Sequence, residues 1–297
     1  MRLVSLLPAA TEIISALGLG EALVGRSHEC DYPEAVRELP ALTKARIDTS
    51  LPSAELDALV RAIVAQRLPI YMLDEARLAA LAPDVVVTQE ACAVCAISYD
   101  QVVGSLKRTA AQARVVSLRP ARLTDVLEDV RTVASACGVS GRGEALVASL
   151  RARLARVVAG IDPGARPRVA VVEWLDPPML AGHWVPDAIE AAGGIPLGPE
   201  PGAASPGTTW EEVRALRPDA LVVAPCGFDL PRTGAEAAPL LGVLRSLAGR
   251  VLLLDGNAYL NRPGPRLVDA VELLAGWLRG RPVAADQGLA VEPAVVG

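Results

Sequence analysis

Six consecutive residues, His28-Glu29-Cys30-Asp31-Tyr32-Pro33, carry more chemistry than any other short stretch of this chain. An imidazole, a thiol, two carboxyls and a phenol can form an exposed turn, a metal site or one wall of a ligand pocket. A second stretch, Cys92-Ala-Val-Cys95, offers a dithiol. At a helix start such a pair can be a redox centre, because the helix N-terminus lowers thiol pKa. It can equally be half of a zinc site or a pair of packed thiols. No second C-x-x-C exists, so a metal site would need His28 and Cys30 beside Cys92 and Cys95, with His183 in reserve.

These residues need elements to position them. Three short β-branched runs occur in the first half (2–6, 83–89, 114–118) and three in the second (168–174, 218–225, 250–256). Each is bounded by Pro, Gly or charge, as strands buried on both faces are. Their approaches also match: LAALAPDVVV (78–87) resembles VRALRPDALVV (213–223). Helical patterns fill the gaps, over 10–18, 98–110 and 185–194, with Ser98 and Gln101 at capping-box spacing. Alternation of this kind predicts α/β architecture with parallel sheets covered on both sides. The expected organisation is an N-terminal lobe over 1–119, a helical connector over 120–165, a C-terminal lobe over 166–280 and a tail over 281–297. The connector breaks near Cys137–Gly143, and one stiff helix within about 141–161 is expected to join two α/β lobes.

In open parallel sheets, ligands bind beyond the carboxyl ends of the strands. LVGRS (23–27) leads into His28, Glu29, Cys30 and Tyr32. The strand at 83–89 leads into Glu90, Cys92 and Cys95. The next set holds Trp174, Asp176, Met179, His183 and Trp184, followed by Cys226 and Phe228, and then by Asn257, Tyr259, Asn261 and Arg262. Both histidines and four of the five cysteines fall on these loops, which favours a pocket between two facing lobes. Other readings stand beside this one. His28 can cap a turn, Trp184 can pack under the helix that follows it, and Trp210 and Cys137 read as packing residues.

Composition excludes several classes. The chain has 297 residues and a net charge of −5, with no basic, aromatic-interleaved stripe, so nucleic acid is not an expected partner. No apolar run reaches the ~18–20 residues of a membrane span, and membrane insertion is not expected. A secretory signal is absent from the opening residues. The expectation is therefore a cytoplasmic protein whose five cysteines are thiols, with a periplasmic or surface location as the alternative if a leader was removed. There is no P-loop and no G-x-S-x-G.

The opening RLVSLLPAATEIISALGLGEALVGRSHECDYP, the units LAALAPDVVV and TWEEVRALRPDALVV, and the ending RPGPRLVDAVELLAGWL carry a resemblance. Over about residues 1–280 the chain resembles the vitamin B12-binding proteins of cobalamin ABC importers. More broadly, it resembles the helical-backbone class of solute-binding proteins for metal chelates, haem and siderophores. The resemblance implies a periplasmic-binding-protein-like fold of two Rossmann-like lobes joined by a single long helix, with non-catalytic binding of cobalamin or another corrinoid in the cleft. It implies that Tyr32 contacts the corrin and that Glu211 docks on an ABC permease, although Thr208 and Glu211 are also spaced as a capping box. Ala76 stands at the N-lobe docking position, beside Asp74 and Glu75. The segment 44–71 reads as an inserted helix, and the histidine and cysteine loops resemble a cytoplasmic branch of the family. The ligand-binding set so assembled is His28, Glu29, Tyr32, Glu90, Trp174, His183, Trp184, Phe228, Asn257, Tyr259 and Arg262. Two alternatives remain: a metalloprotein or metal-dependent enzyme built on the His/Cys loops with a bound metal ion, and a siderophore- or haem-type binder.

Overall fold

The computed structural model describes residues 1–66, 68–89, 99–108 and 113–291. Glu90, Cys92, Cys95 and Ser98 lie outside the described residues. The chain divides into two compact units: 1–51, 58–120 and 124–149 form the first, and 52–57, 121–123 and 150–297 the second.

The first unit begins with β1 (Leu3–Ser5), α1 (Pro8–Ala16) and β2 (Leu23–Arg26). β3 (Thr43–Ala45), α2 (Ser53–Ala65), β4 (Tyr71–Leu73) and α3 (Glu75–Leu81) follow, then β5 (Val85–Gln89), α4 (Tyr99–Arg108) and β6 (Arg114–Leu118). β2, β1, β5 and β6 make a parallel sheet in that order, and β3 and β4 pair antiparallel as a separate ribbon. Val4, Leu42, Leu78, Val86 and Val102 form its core, so the run of β-branched residues is buried on both faces as its pattern predicts. The segment expected to be an inserted helix is α2, flanked by the two ribbon strands.

α5 (Leu123–Ala136) and α6 (Ser140–Ala159) occupy the connector. Residues 140–149 of α6 belong to the first unit, where Arg142 Nη1 donates to the Leu17 carbonyl at 3.2 Å and closes the end of α1. Its later residues belong to the second unit, where Arg153 Nε donates to Glu272 at 2.9 Å. Two shorter segments also group with the second unit. Ser53 bonds Glu236 there, and Arg122 forms a two-pronged ion pair with Asp187 at 2.7 and 2.8 Å.

The second unit holds β7 (Arg168–Leu175), β8 (Pro178–Leu180), α7 (Val185–Ala191), β9 (Ile195–Leu197), α8 (Trp210–Ala215) and β10 (Ala220–Val223). α9 (Leu230–Ala237), α10 (Leu241–Leu247), β11 (Arg250–Leu254), α11 (Arg266–Leu278) and β12 (Gly288–Val291) complete it. β9, β7, β10 and β11 run parallel in that order, repeating the β2-β1-β5-β6 arrangement of the first unit. The tail adds β12 antiparallel to β11, so part of 281–297 braces the sheet edge.

Candidate functional site

In the first unit the loop after β2 is pinned from within. Arg26 donates to the carbonyls of Ser27 at 3.0 Å, His28 at 3.3 Å and Arg37 at 2.9 Å. This fixes the backbone that carries the HECDYP residues. The His28 ring lies 5.4 Å from the Tyr71 ring, and Tyr71 donates its hydroxyl to Glu29 Oε1 at 2.8 Å. His28 Nδ1 stands 2.7 Å from Thr43 Oγ1. Burial, and secondarily the charge of Arg26, push the His28 pKa below its ordinary value. Tyr32 projects with 47% of its surface exposed. Cys30 turns the other way: it is buried, and its Sγ accepts from Thr11 Oγ1 at 3.0 Å.

In the second unit, Trp174 is next to last in β7 and meets the Phe228 ring at 5.2 Å, tilted by 54°. Arg232 covers Phe228 at 3.6 Å from the ring centroid, and the ring is 2% exposed. The His183 ring stacks on Trp184 at 5.7 Å. His183 is held at φ +51°, its amide donating to Ala203 at 2.6 Å and its carbonyl accepting from Gly202 at 2.9 Å. The preceding Gly182 is required by this approach, since a Cβ there would stand 2.4 Å from the Ala203 carbonyl. Burial lowers the His183 pKa also. Trp184 donates Nε1–H to the Leu260 carbonyl at 2.7 Å, so it both packs and offers a ring face. Arg262, 5% exposed, donates to Asn257 Oδ1 at 2.8 Å, and the two brace the loop after β11 from inside. Tyr259 is partly buried on the same loop, and burial raises its pKa.

His28, Phe228 and Asn257 follow the parallel strands β2, β10 and β11 of a repeated α/β framework, and residues 3–238 match the family model described as periplasmic binding protein.

The chain belongs to the periplasmic binding protein family.

Solved structures with this fold include the apo form of the periplasmic heme-binding protein RhuT from Roseiflexus sp. RS-1. It is 26% identical, with 93% of this chain and 97% of that chain covered and a TM-score of 0.67. A periplasmic heme binding protein from Pseudomonas aeruginosa is 21% identical, over 98% and 95%, with a TM-score of 0.71. The periplasmic vitamin B12 binding protein BtuF of Vibrio cholerae is 18% identical, over 94% and 96%, with a TM-score of 0.66. No curated protein matches the chain.

The capping box of α8 is Thr209 with Glu212, not Thr208 with Glu211 as its spacing suggested. Thr209 Oγ1 accepts from the Glu212 amide at 3.2 Å, and Glu212 accepts from the Thr209 amide at 2.9 Å. Glu211 is left out of the box on the exposed first turn. Asp74 caps α3 through the Arg77 amide, and Glu75 is taken by Arg108. Trp210 packs on the core of the second unit, and Cys137 is buried, as their positions predicted. Among the described residues, no group of three or more His, Cys, Asp or Glu side chains is placed to hold a metal ion. Tyr71 and Thr43 belong to the His28 wall and escaped the sequence reading. Tyr71 carried a weak signal as one of only four tyrosines, whereas Thr43 carried none.

Proposed function

We propose that this protein binds, without transforming it, a corrinoid such as cobalamin or a closely related large metal chelate. The observation that carries the reading is Tyr32, a ring with 47% of its surface exposed in a chain with 3% aromatic residues. Arg26 anchors the backbone of the same loop beside a polar rim of His28, Glu29 and Tyr71. A flat apolar face with polar groups at its edge suits a macrocycle with amide side chains. Trp174, His183 and Trp184 supply further ring surface in the second unit, and Asn257 with Arg262 supplies polar support. The Vibrio cholerae protein of the same fold is named for vitamin B12. Haem is the second reading, supported by the 26% identity to the Roseiflexus heme-binding protein. An ABC permease is the partner this reading implies, with the exposed Glu211 as the residue to meet it.

Calorimetric titration of cobalamin tests the proposal. Wild type is expected to bind, and Tyr32→Ala to lose ~2 kcal/mol, about thirtyfold in affinity. No heat from wild type at high micromolar cobalamin rejects the corrinoid. A Soret shift on adding haemin in its place selects the second reading.

A further inference from the structure

His28 ends a chain of hydroxyl groups that decides which ring nitrogen carries its proton. Thr43 Oγ1 has three polar neighbours: the His28 backbone amide at 3.0 Å, Ser27 Oγ at 3.0 Å and His28 Nδ1 at 2.7 Å. A threonine hydroxyl has one proton and two acceptor sites. The amide can only donate, so it takes one acceptor site. One proton and one acceptor site remain for Ser27 and the ring.

Two arrangements satisfy this count. In the first, Ser27 donates to Thr43 and Thr43 donates to Nδ1. In the second, Nδ1–H donates to Thr43 and Thr43 donates to Ser27. Ser27 separates them. It is 3% exposed, and its oxygen already receives the Glu29 amide at 3.3 Å. The second arrangement leaves the Ser27 proton without an acceptor among the described residues. A buried hydroxyl so stranded loses more than one ordinary hydrogen bond gains. The first arrangement satisfies the Ser27 and Thr43 hydroxyls, the two backbone amides and Nδ1 together. It leaves Nδ1 bare towards Thr43 and the proton on Nε2, which has no hydrogen-bond partner among the described residues.

We propose that the Ser27–Thr43 relay holds His28 as its Nε2–H tautomer, so that this wall offers a hydrogen-bond donor to an acceptor oxygen of the ligand and not an electron pair to a metal. An imidazole that ligates a metal through Nε2 commonly has the opposite arrangement, with Nδ1–H donating to an oxygen behind it. Placing the ring against a chelate rests on the function proposed above. The tautomer does not. An amide carbonyl and a carboxylate share the acceptor chemistry, and two probes distinguish them.

The first experiment needs no ligand. The full chain is labelled with ring-¹⁵N histidine and studied by long-range ¹H–¹⁵N NMR, with His183→Gln to assign the two rings. Nδ1 of His28 is expected to resonate as a bare nitrogen and Nε2 as a protonated one. A protonated Nδ1 with a bare Nε2 overturns the proposal. Thr43→Ala should turn the ring into a mixture of tautomers and Thr43→Ser should restore one. A single unchanged tautomer in a folded Thr43→Ala protein overturns the relay.

In the second experiment, cyanocobalamin (amide edge) and haemin (carboxylate edge) are titrated into wild type, His28→Gln and His28→Ala. Glutamine keeps an N–H donor and does not replace imidazole as a metal ligand. For whichever probe binds, His28→Gln should stay within about threefold of wild type and His28→Ala should weaken about tenfold. A glutamine variant as weak as alanine, with a lost metal-centred spectral shift, overturns the proposal. Binding of neither probe rejects the chelate reading, and the tautomer is then judged by the NMR result.

Discussion

Asp84 and Arg2 hold each other twice. The Arg2 amide donates to Asp84 Oδ2 at 2.6 Å, and the Asp84 amide donates back to the Arg2 carbonyl at 2.8 Å. Arg2 Nε then reaches the Leu81 carbonyl at 2.7 Å, at the end of α3. In the second unit Asp219 and Arg168 repeat each contact: 2.7 Å from the Arg168 amide, 2.9 Å in return, and 2.7 Å from Arg168 Nη2 to Leu216. Before each Pro-Asp, a non-glycine residue takes the left-handed conformation, Ala82 at φ 39° and Arg217 at φ 50°. The repeated Pro-Asp is thus a joint that stops a helix, turns the chain and sets the register of the next strand.

Asp84→Ala and Asp219→Ala are each expected to cost about 1 kcal/mol in urea unfolding, because each leaves a strand-opening amide without its carboxylate. The sites share no partner, so the double variant should add within about 0.5 kcal/mol. Asn in either place keeps the acceptor oxygen and should be nearly neutral. A double variant as stable as wild type shows that water replaces the carboxylates without loss.

β1, β2, β5, β6, β7, β10 and β11 were legible because buried parallel strands read as apolar runs, and α2 because the segment departs from the pattern of the family it resembles, whereas the short β3, β4, β8, β9 and β12 were not read. The register of short polar signals was not. TTWEE contains two overlapping capping boxes, and the structure uses Thr209 and Glu212, which places Trp210 and Val213 together on the core face of α8. Loop order placed the candidate residues on their loops without giving their depth. Phe228 and Arg262 lie on the expected loops, yet both are buried beneath partners, Arg232 and Asn257, that only tertiary contact supplies. Ser53 and Glu236, 183 positions apart, could not be paired from pattern at all.

That pair gives a second prediction. Ser53 opens α2 and is 4% exposed, with its amide and hydroxyl both donating to Glu236 Oε2, at 3.3 and 2.9 Å. The carboxylate satisfies an orphan N–H of the first turn and suits the positive end of the helix. Glu236→Ala should cost about 1–2 kcal/mol and speed amide exchange at the start of α2, with Glu236→Gln intermediate. Unchanged exchange across residues 53–57 would falsify the capping role.

Asp129, on α5, is 8% exposed, and its Oδ2 has no hydrogen-bond partner among the described residues. Burial first, and then the nearby Asp125, push its pKa from 3.8 to about 7 against a bond from the Arg119 backbone. A carboxyl with a raised folded pKa favours folding while protonated. Its contribution is complete below the unfolded value near 3.8 and is lost as pH rises through about 7. The full span is on the order of 4 kcal/mol. Asp129→Asn should therefore gain stability over wild type at about pH 8 and little at about pH 4. Equal differences at both pH values would show that Asp129 is not the titrating group.

The two histidines work in the opposite direction. Burial depresses both folded pKa values below the ordinary 6.5, with Arg26 assisting at His28. Where the unfolded chain has taken up a proton and the folded one has not, protonation favours unfolding. Each histidine thus contributes stability that is complete above 6.5 and is lost as pH falls through its lowered folded value. Protonating His28 also puts a proton on Nδ1, against the Thr43 hydroxyl that donates to it. Replacing either residue with Gln should flatten the acid side of the stability curve while leaving the alkaline side as in wild type. Urea midpoints at several pH values for wild type, His28→Gln and His183→Gln give the comparison, with Asp129 unchanged and cancelling in each difference. A variant whose curve runs parallel to wild type through the acid range would show that its histidine titrates alike in the folded and unfolded chain.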